Sequence, residues 1–472
     1  MEMTESLRVI IVGAGVTGLT AAHILAAAGI DHIVVEKWRE AAPAAGASIT
    51  VFPHCARVFK QLGILADIEK HAEPFTDGAT NRDATGKVIM TTDLWGYIRE
   101  NHGTDVMLLE RRALLETLYV TLPDKSKVVF NKEVEKIIEQ ATHIDVFFAD
   151  GTSERGDLVI GADGVHSAVR QAMWERANSI EPGIITVDEK KSIMATWRCL
   201  FGYAPGQPHL KNELSVTSLP GRRCFLVATQ PKQTFFFVFW RPDQPYSRYT
   251  RPRYTAEDAQ RAAESVADIP ISESMVFGEL WNQRHRAQLA DIEEGVLERW
   301  HYGRFVLVGD AAHKVTPNLA LGGNLGIDGV VHLANLLRGA VQAAAGARPS
   351  MADLHRVFGQ YQTRHLPRAK AVFEMSRMVT QVQAWDTLMM KYMSLYVAPY
   401  SDERAMPNEL GKIVRAGPLL DFCPVPEWPR AKMEWDSEGV KTAETGAGRS
   451  GLLKSLILGA TVAIPLFLWV TA

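Results

Sequence analysis

Cysteine is scarce in this chain, and none of it is patterned. Only Cys55, Cys199, Cys224 and Cys423 occur among 472 residues. No two of them stand in a CxxC or other metal-ligand spacing, so a disulfide scaffold is excluded and no metal is expected. The pattern suits a reducing compartment. Neither sign of charge is in excess: 51 Lys and Arg stand against 54 Asp and Glu, a formal net charge of −3. Without a basic footprint, nucleic acid is not expected as the main ligand. Internal repeats are absent, and 47% hydrophobic with 22% charged residues excludes disorder as the main content. The first residues lack the basic n-region of a secretory signal, since Glu2 and Glu5 precede Arg8 and the apolar run Val9-Ile10-Ile11-Val12.

Charge is missing altogether from Ser455 to Ala472. As a helix this run would span about 27 Å, enough for a thin bilayer. Arg449 and Lys454 precede it, Trp469 stands near its far end, and Pro465 is tolerable in a membrane helix. A single-pass C-terminal transmembrane tail over 452–472 is therefore expected, after a polar linker over 437–450. It would sit in the endoplasmic reticulum with the globular part cytosolic. The other reading is a hydrophobic helix docked on the domain.

Residues 7–36 read as strand, glycine turn, helix and strand, with the helix from Gly15 to Ala28 and the second strand ending at Glu36. Helical spacing predicts a helix over 104–122. Strands are expected at 127–130, 133–139, 144–148 and 158–161. From about 181 to 285 the pattern has period two and is rich in aromatics, with strands over 192–202, 214–219, 223–230 and 234–241. That predicts a mostly antiparallel sheet, read as the floor of a substrate pocket. Helices are expected over 256–268 and 284–291. A last buried strand over 305–308 leads through a glycine-rich turn to a long helix near 323–345. Helical spacing then continues to about 400, where Trp385, Met389, Met390, Met393 and Tyr396 make an apolar stripe read as core.

Three motifs carry chemistry. Gly13-x-Gly15-x-x-Gly18 opens a helix after a strand, and its glycines allow a tight turn and close approach of backbone to a pyrophosphate at the helix N-terminus. Glu36 closes the next strand, where a carboxylate can take ribose hydroxyls. The second motif is Gly161-Ala162-Asp163-Gly164, continued by Val165-His166-Ser167 and Arg170. The third is Gly309-Asp310-Ala311-Ala312-His313, running on to Pro317 and Gly322-Gly323-Asn324. Asp310 could hold a sugar hydroxyl, and the Gly322-Gly323 amides a pyrophosphate or ring edge. His313 is read as a packing residue, and His54 and His285 have no partner visible in the sequence.

In this order and spacing the motifs resemble class A flavoprotein monooxygenases of the para-hydroxybenzoate hydroxylase type, over about residues 7–370. GAGVTGL, the strand end at Glu36, LERRALLETL, GADGVHSAVR and GDAAHKVTPNLALGGN carry the resemblance. GASITVFPH, Trp197-Arg198-Cys199-Leu200-Phe201-Gly202, HKVTPNL and the tail narrow it to fungal epoxidases and hydroxylases of meroterpenoid and indole-diterpene pathways. The resemblance implies an α/β fold. A doubly wound, Rossmann-like FAD domain would take 1–75, 105–180 and 285–365, and an antiparallel substrate domain 76–104 and 181–284. C-terminal helices would follow over 366–436. It implies that Gly13, Gly15, Gly18 and Glu36 bind the ADP half of FAD. Arg111, or alternatively Arg112, would reach the phosphate or ribitol. Asp163 and Gly164 would serve FAD and NADPH, Asp310 the ribitol, and Gly323 the pyrophosphate or ring. Arg198 matches a substrate-pocket arginine and is the candidate catalytic residue, its other reading being a strand-surface charge.

The sequence also departs from the family pattern. Thr50 replaces a glycine that contacts FAD, Ala320-Leu321-Gly322 replaces Gly-Gln-Gly, and Asp328-Gly329-Val330 replaces Glu-Asp-Ala. A tyrosine of the substrate sheet has no counterpart, with Thr217 or Phe225 nearby. The expected reaction is NADPH- and O₂-dependent epoxidation or hydroxylation of a small hydrophobic terpenoid, meroterpenoid or prenylated indole or polyketide. The altered flavin-side residues leave an FAD-dependent oxidase, dehydrogenase or cyclisation-promoting flavoprotein as the alternative.

Overall fold

The computed structural model describes residues 6–43, 46–246 and 252–439. The chain divides into two units, Met1–Met433 and Glu434–Ala472. Of the second, only the short helix Asp436–Gly439 and the two residues before it are described. The expected tail over 452–472, and the linker from residue 440 on, lie outside the described residues. Among the described residues no helix is long and apolar enough to cross a membrane.

Two sheets organise the first unit. The strands Arg8–Val12, Asp31–Val35, Val128–Val129, Leu158–Gly161 and Phe305–Leu307 pair in parallel, with His301–Tyr302 antiparallel at one edge. These strands are short and almost wholly apolar, as a parallel sheet covered on both faces requires. Strand Arg8–Val12 lies between Asp31–Val35 and Leu158–Gly161. The chain leaves it in one direction and returns on its other side, which makes its carboxyl end the switch point where such sheets bind ligands. Helix Val16–Ala28 is buried on nearly every side and ends at Gly29, whose φ of 70° closes it with a left-handed cap.

The second sheet has eight strands: His313–Lys314, Arg286–Val296, Met194–Pro205, Gln233–Trp240, Arg223–Thr229, Leu214–Leu219, Ala79–Arg82 and Val88–Thr92, in that spatial order. All neighbours are antiparallel except Leu214–Leu219 with Ala79–Arg82. Leu200, Phe225, Val227, Phe236 and Val238 on one face pack against helices Ala256–Glu264 and Phe277–Asn282. Trp197, Cys199, Val216, Cys224, Leu226 and Phe239 on the other meet Ala384, just past helix Met351–Gln383.

Two element expectations are corrected. Residues 284–291 are not a helix: Arg286–Val296 is a strand paired with Met194–Pro205 along nearly its whole length. Ladder pairing with a partner some ninety residues earlier overrides the local spacing. The segment 104–122 is not one helix either. Met107–Glu110 pairs as a strand with Ser48–Val51, and the helix begins only at Arg111. The 33-residue helix Met351–Gln383 starts in a capping box of Ser350 and Asp353 and runs unbroken across residues 365 and 366.

Candidate active site

Two helix N-termini converge at the switch point of the parallel sheet. At Gly13 the chain turns with φ of 104°, and a Cβ there would come 2.7 Å from the Ala162 carbonyl oxygen. At Gly18 a Cβ would stand 1.8 Å from the Gly13 oxygen, so the helix packs directly on its own turn. Gly15 differs: a Cβ there meets nothing within 4 Å, and no side chain caps the helix it begins. The first-turn amides therefore face an open cradle, which fits an anionic pyrophosphate. The Glu36 carboxylate, buried beside the turn, accepts from the amides of Ala14 at 2.7 Å and Trp38 at 3.0 Å. Each oxygen keeps a further acceptor position for a ribose hydroxyl.

The second N-terminus is that of helix Gly322–Ala343, which has neither a side-chain cap nor an acid in its first turn. Contact between the two helices is backbone-close. Cβ atoms at Gly309 and Gly326 would fall 2.8 and 2.4 Å from Thr17 Oγ1, so Thr17 fills the notch those glycines leave. Asn324, buried, fastens this helix to strand Ser48–Val51. It donates to the Thr50 carbonyl at 2.7 Å and accepts from the Phe52 amide at 2.9 Å. Thr50 thus meets the helix through its backbone, and Gly323 lies against Ile49, 2.9 Å from where its Cβ would stand. The sequence displayed Asn324 in its Gly-Gly-Asn turn but gave no sign of these partners.

Arg111, not Arg112, is brought to this group. Burial lowers the Arg111 pKa, while the charges of the Asp310 and Glu36 carboxylates act to raise it. Its stem runs past Gly46, whose Cβ would touch Arg111 Cδ at 3.0 Å. Arg112 is exposed and pairs with Glu116 one turn on. Asp310 forms an ion pair with Lys314, a partner the sequence did not announce.

The Asp163 carboxylate turns toward its own chain rather than outward. It accepts from the amides of Ala168 at 2.7 Å and Val169 at 3.1 Å, and with Ser167 it caps helix Ala168–Ile180. Burial raises its pKa against the lowering effect of those bonds. Gly164, beside it, faces open space. Arg170 ties this motif to the third by donating to the carbonyls of Ala311 and Val165.

One face of the eight-stranded sheet is fronted by the turn Pro317–Leu319 that leads into helix Gly322–Ala343. Phe201, Phe237, Leu226 and Val216 line up across four strands in register. Cys199, Phe239 and Cys224 form the next row. Asn318 fronts this face from the turn Pro317–Leu319, donating to Gln383 Oε1 at 2.7 Å and lying 3.9 Å from Cys224 Sγ. Arg198 is not on it. Strand alternation puts Arg198 with Leu200 and Ala204 on the helix-covered side, where its Nε donates to the Tyr254 hydroxyl at 2.7 Å. Tyr254 and Tyr246 in turn donate to Asp291. The structure thus sets Arg198, expected as the catalytic residue, on the side of the sheet away from the apolar row, half-buried and bonded to Tyr254 rather than standing as a free surface charge. Thr217 and Phe225 lie on that same far side.

His313 packs, as its motif suggested. Its ring sits 5.2 Å from those of Trp300 and His365, and burial pulls its pKa down to about 4. The folded chain then refuses a proton that the unfolded chain accepts below about pH 6.5. Stability should be full above that pH and fall as pH drops toward 4, by up to about 1.4 kcal/mol per pH unit from this ring. His313→Gln should flatten the slope between pH 6.5 and 4 in denaturant titrations; an unchanged slope would mean His313 is not buried neutral.

Comparison with known proteins agrees with this architecture. The FAD binding domain family matches residues 6–376. The FAD-dependent monooxygenase DEP2 of Alternaria brassicicola is 37% identical over 435 residues, covering 91% of this chain and 82% of that protein. The FAD-dependent monooxygenase spyC of Aspergillus fumigatus is 35% identical, covering 90% of each. Among solved structures, Klebsiella pneumoniae HpxO complexed with FAD and uric acid shares the fold. Its TM-score is 0.70 at 20% identity, covering 87% of this chain and 97% of that one. With the uncapped helix ends, the open cradle at Gly15 and the carboxylate of Glu36 already in place, these matches show that the chain is an enzyme of the FAD-dependent monooxygenases built on this FAD binding domain.

Proposed function

We propose that the chain uses NADPH and O₂ to epoxidise or hydroxylate a hydrophobic small molecule of the terpenoid, meroterpenoid or prenylated indole or polyketide kind. The observation that carries this is the apolar row Phe201, Phe237, Leu226 and Val216, which runs across the sheet with no charged side chain in it. Such a wall binds by area and keeps water from the reacting centre. FAD, when bound, supplies the oxygen activation. The chain's own share is to hold it at the two helix N-termini, Glu36 and Arg111, and to orient an apolar substrate against the sheet.

The purified full chain should be yellow, and NADPH or NADH added without air should bleach it. With ¹⁸O₂ and a candidate terpenoid, one labelled oxygen should enter the product. Bleaching and O₂ uptake without label in the product would select the oxidase or dehydrogenase reading instead. The uncharged run Ser455–Ala472 supports the further proposal of a single-pass tail over 452–472 in the endoplasmic reticulum, with the catalytic part cytosolic. Release of the full chain from membranes by alkaline carbonate would refute it.

A further inference from the structure

The apolar stripe expected to be core is not core. Helix Met351–Gln383 ends, Trp385 turns the chain with φ of 49°, and the backbone continues in three short turns: Leu388–Tyr392, Met393–Val397 and Ala398–Tyr400. No residue of these turns is buried. Leu388 is 87% exposed, Tyr400 86%, Tyr396 61%, Tyr392 58% and Met389 56%, with Met378 of the preceding helix also open. The last turn lies against the edge strand Val88–Thr92, where Val88 is exposed too. Scattered single apolar residues on a surface need no explanation, but a contiguous set of this kind marks an interaction site.

We propose that Leu388–Tyr400, with Met378, is a docking face that seats the folded body on the surface of a lipid bilayer. Three features select lipid over a protein partner or a second copy. Tyrosines alternate with leucine and methionine, and a ring with an apolar body and a polar hydroxyl suits the headgroup boundary. Lys391 carries the only charge between Thr387 and Ser401, and there is no carboxylate in that stretch to be repelled by lipid phosphates. The chain beyond the described residues also contains the uncharged run Ser455–Ala472, which has the composition of a bilayer-bound segment.

The position of this face gives it a use. Ala384 packs on the apolar side of the substrate sheet, and Gln383 accepts from Asn318. Asp386 pairs with Arg241 at 2.8 Å, and that guanidinium lies over Trp197. The face therefore begins a few residues past the wall of the proposed pocket, so a lipid-dissolved substrate could reach the pocket without crossing bulk water. That use rests on the hydrophobic-substrate reading, whereas the lipid contact does not.

Amide hydrogen exchange of the full chain, with and without phosphatidylcholine vesicles and without any substrate, tests the proposal. Exchange over 388–400 should slow by roughly tenfold on vesicles. Leu388→Asp, Tyr392→Asp and Tyr396→Asp together should remove that protection and leave the flavin absorbance unchanged. Vesicle binding with no change over 388–400 would place all lipid contact in the tail and overturn the proposal. Protection that grows with protein concentration in the absence of lipid would assign the face to a second copy. Because no turnover is read, a failed substrate screen leaves this result standing, and a failed exchange result leaves the monooxygenase reading standing.

Discussion

Gly15→Leu should give a folded chain that holds no flavin. The backbone at Gly15, with φ of −72° and ψ of −177°, suits any residue, and its Cβ direction is clear to 4 Å. A leucine there meets no protein atom on its first bond, so the cost to the fold is about 1 kcal/mol or less, the usual penalty for a poor N-cap. The space it fills is the space in front of the first-turn amides of helix Val16–Ala28. FAD affinity should therefore fall by at least about 100-fold, or about 2.7 kcal/mol. Far-UV circular dichroism should match the parent protein, while the visible flavin bands disappear and added FAD does not restore them. Gly18→Ala is the contrasting case. Its Cβ would lie 1.8 Å from the Gly13 oxygen, so it should lose flavin and stability together. A Gly15→Leu protein as yellow as the parent would remove this helix end from the cofactor site.

The contrast between those glycines shows what the sequence could and could not convey. A strand, a glycine turn and a helix within thirty residues form a local unit, so Gly13, Gly15, Gly18 and Glu36 are legible in the chain's own pattern. Strands Leu158–Gly161 and Leu214–Leu219 are equally legible, and they occur with the expected bounds. Arg198 is not, because period two separates odd from even residues without saying which set faces the cofactor. Helices Ala256–Glu264 and Phe277–Asn282 decide that, and they cover the even side of Met194–Pro205. The stripe from Met389 to Tyr396 fails for a related reason. Helical spacing reveals an apolar face but not whether anything covers it. Asn324 bonds Thr50, 274 positions away, a pairing that no local pattern carries.

Arg368→Met should be among the most destabilising single changes in the chain. Asp328 sits inside helix Gly322–Ala343, the helix whose N-terminus faces the cofactor site, and is almost fully buried. Arg368, from helix Met351–Gln383, holds its Oδ2 with Nε at 2.9 Å and Nη2 at 2.8 Å, and spends Nη1 on the Ile413 carbonyl. His54 adds a longer contact at 3.5 Å. Together they keep the Asp328 carboxyl well below the usual carboxylate range, with Arg368 the larger influence against burial. Methionine fills similar volume but leaves that carboxylate buried with only His54 and the Cys55 thiol, 4.0 Å from its Oδ1, beside it. Removing one partner of such a pair costs about 3–5 kcal/mol. The pH dependence identifies the cause. In the parent the depressed carboxyl contributes stability at neutral pH that is lost as the solution turns acidic. In Arg368→Met the carboxyl should instead take up a proton more readily than in the unfolded chain, so the gap between the two proteins should be widest near pH 7 and close below about pH 4. Asp328→Asn combined with Arg368→Met should recover part of the loss at neutral pH, because no buried charge then remains uncompensated. Urea unfolding at pH 7 and pH 4 reads all three proteins. A pH-independent gap would mean that packing by the arginine stem, not its charge, is what the two helices need from Arg368.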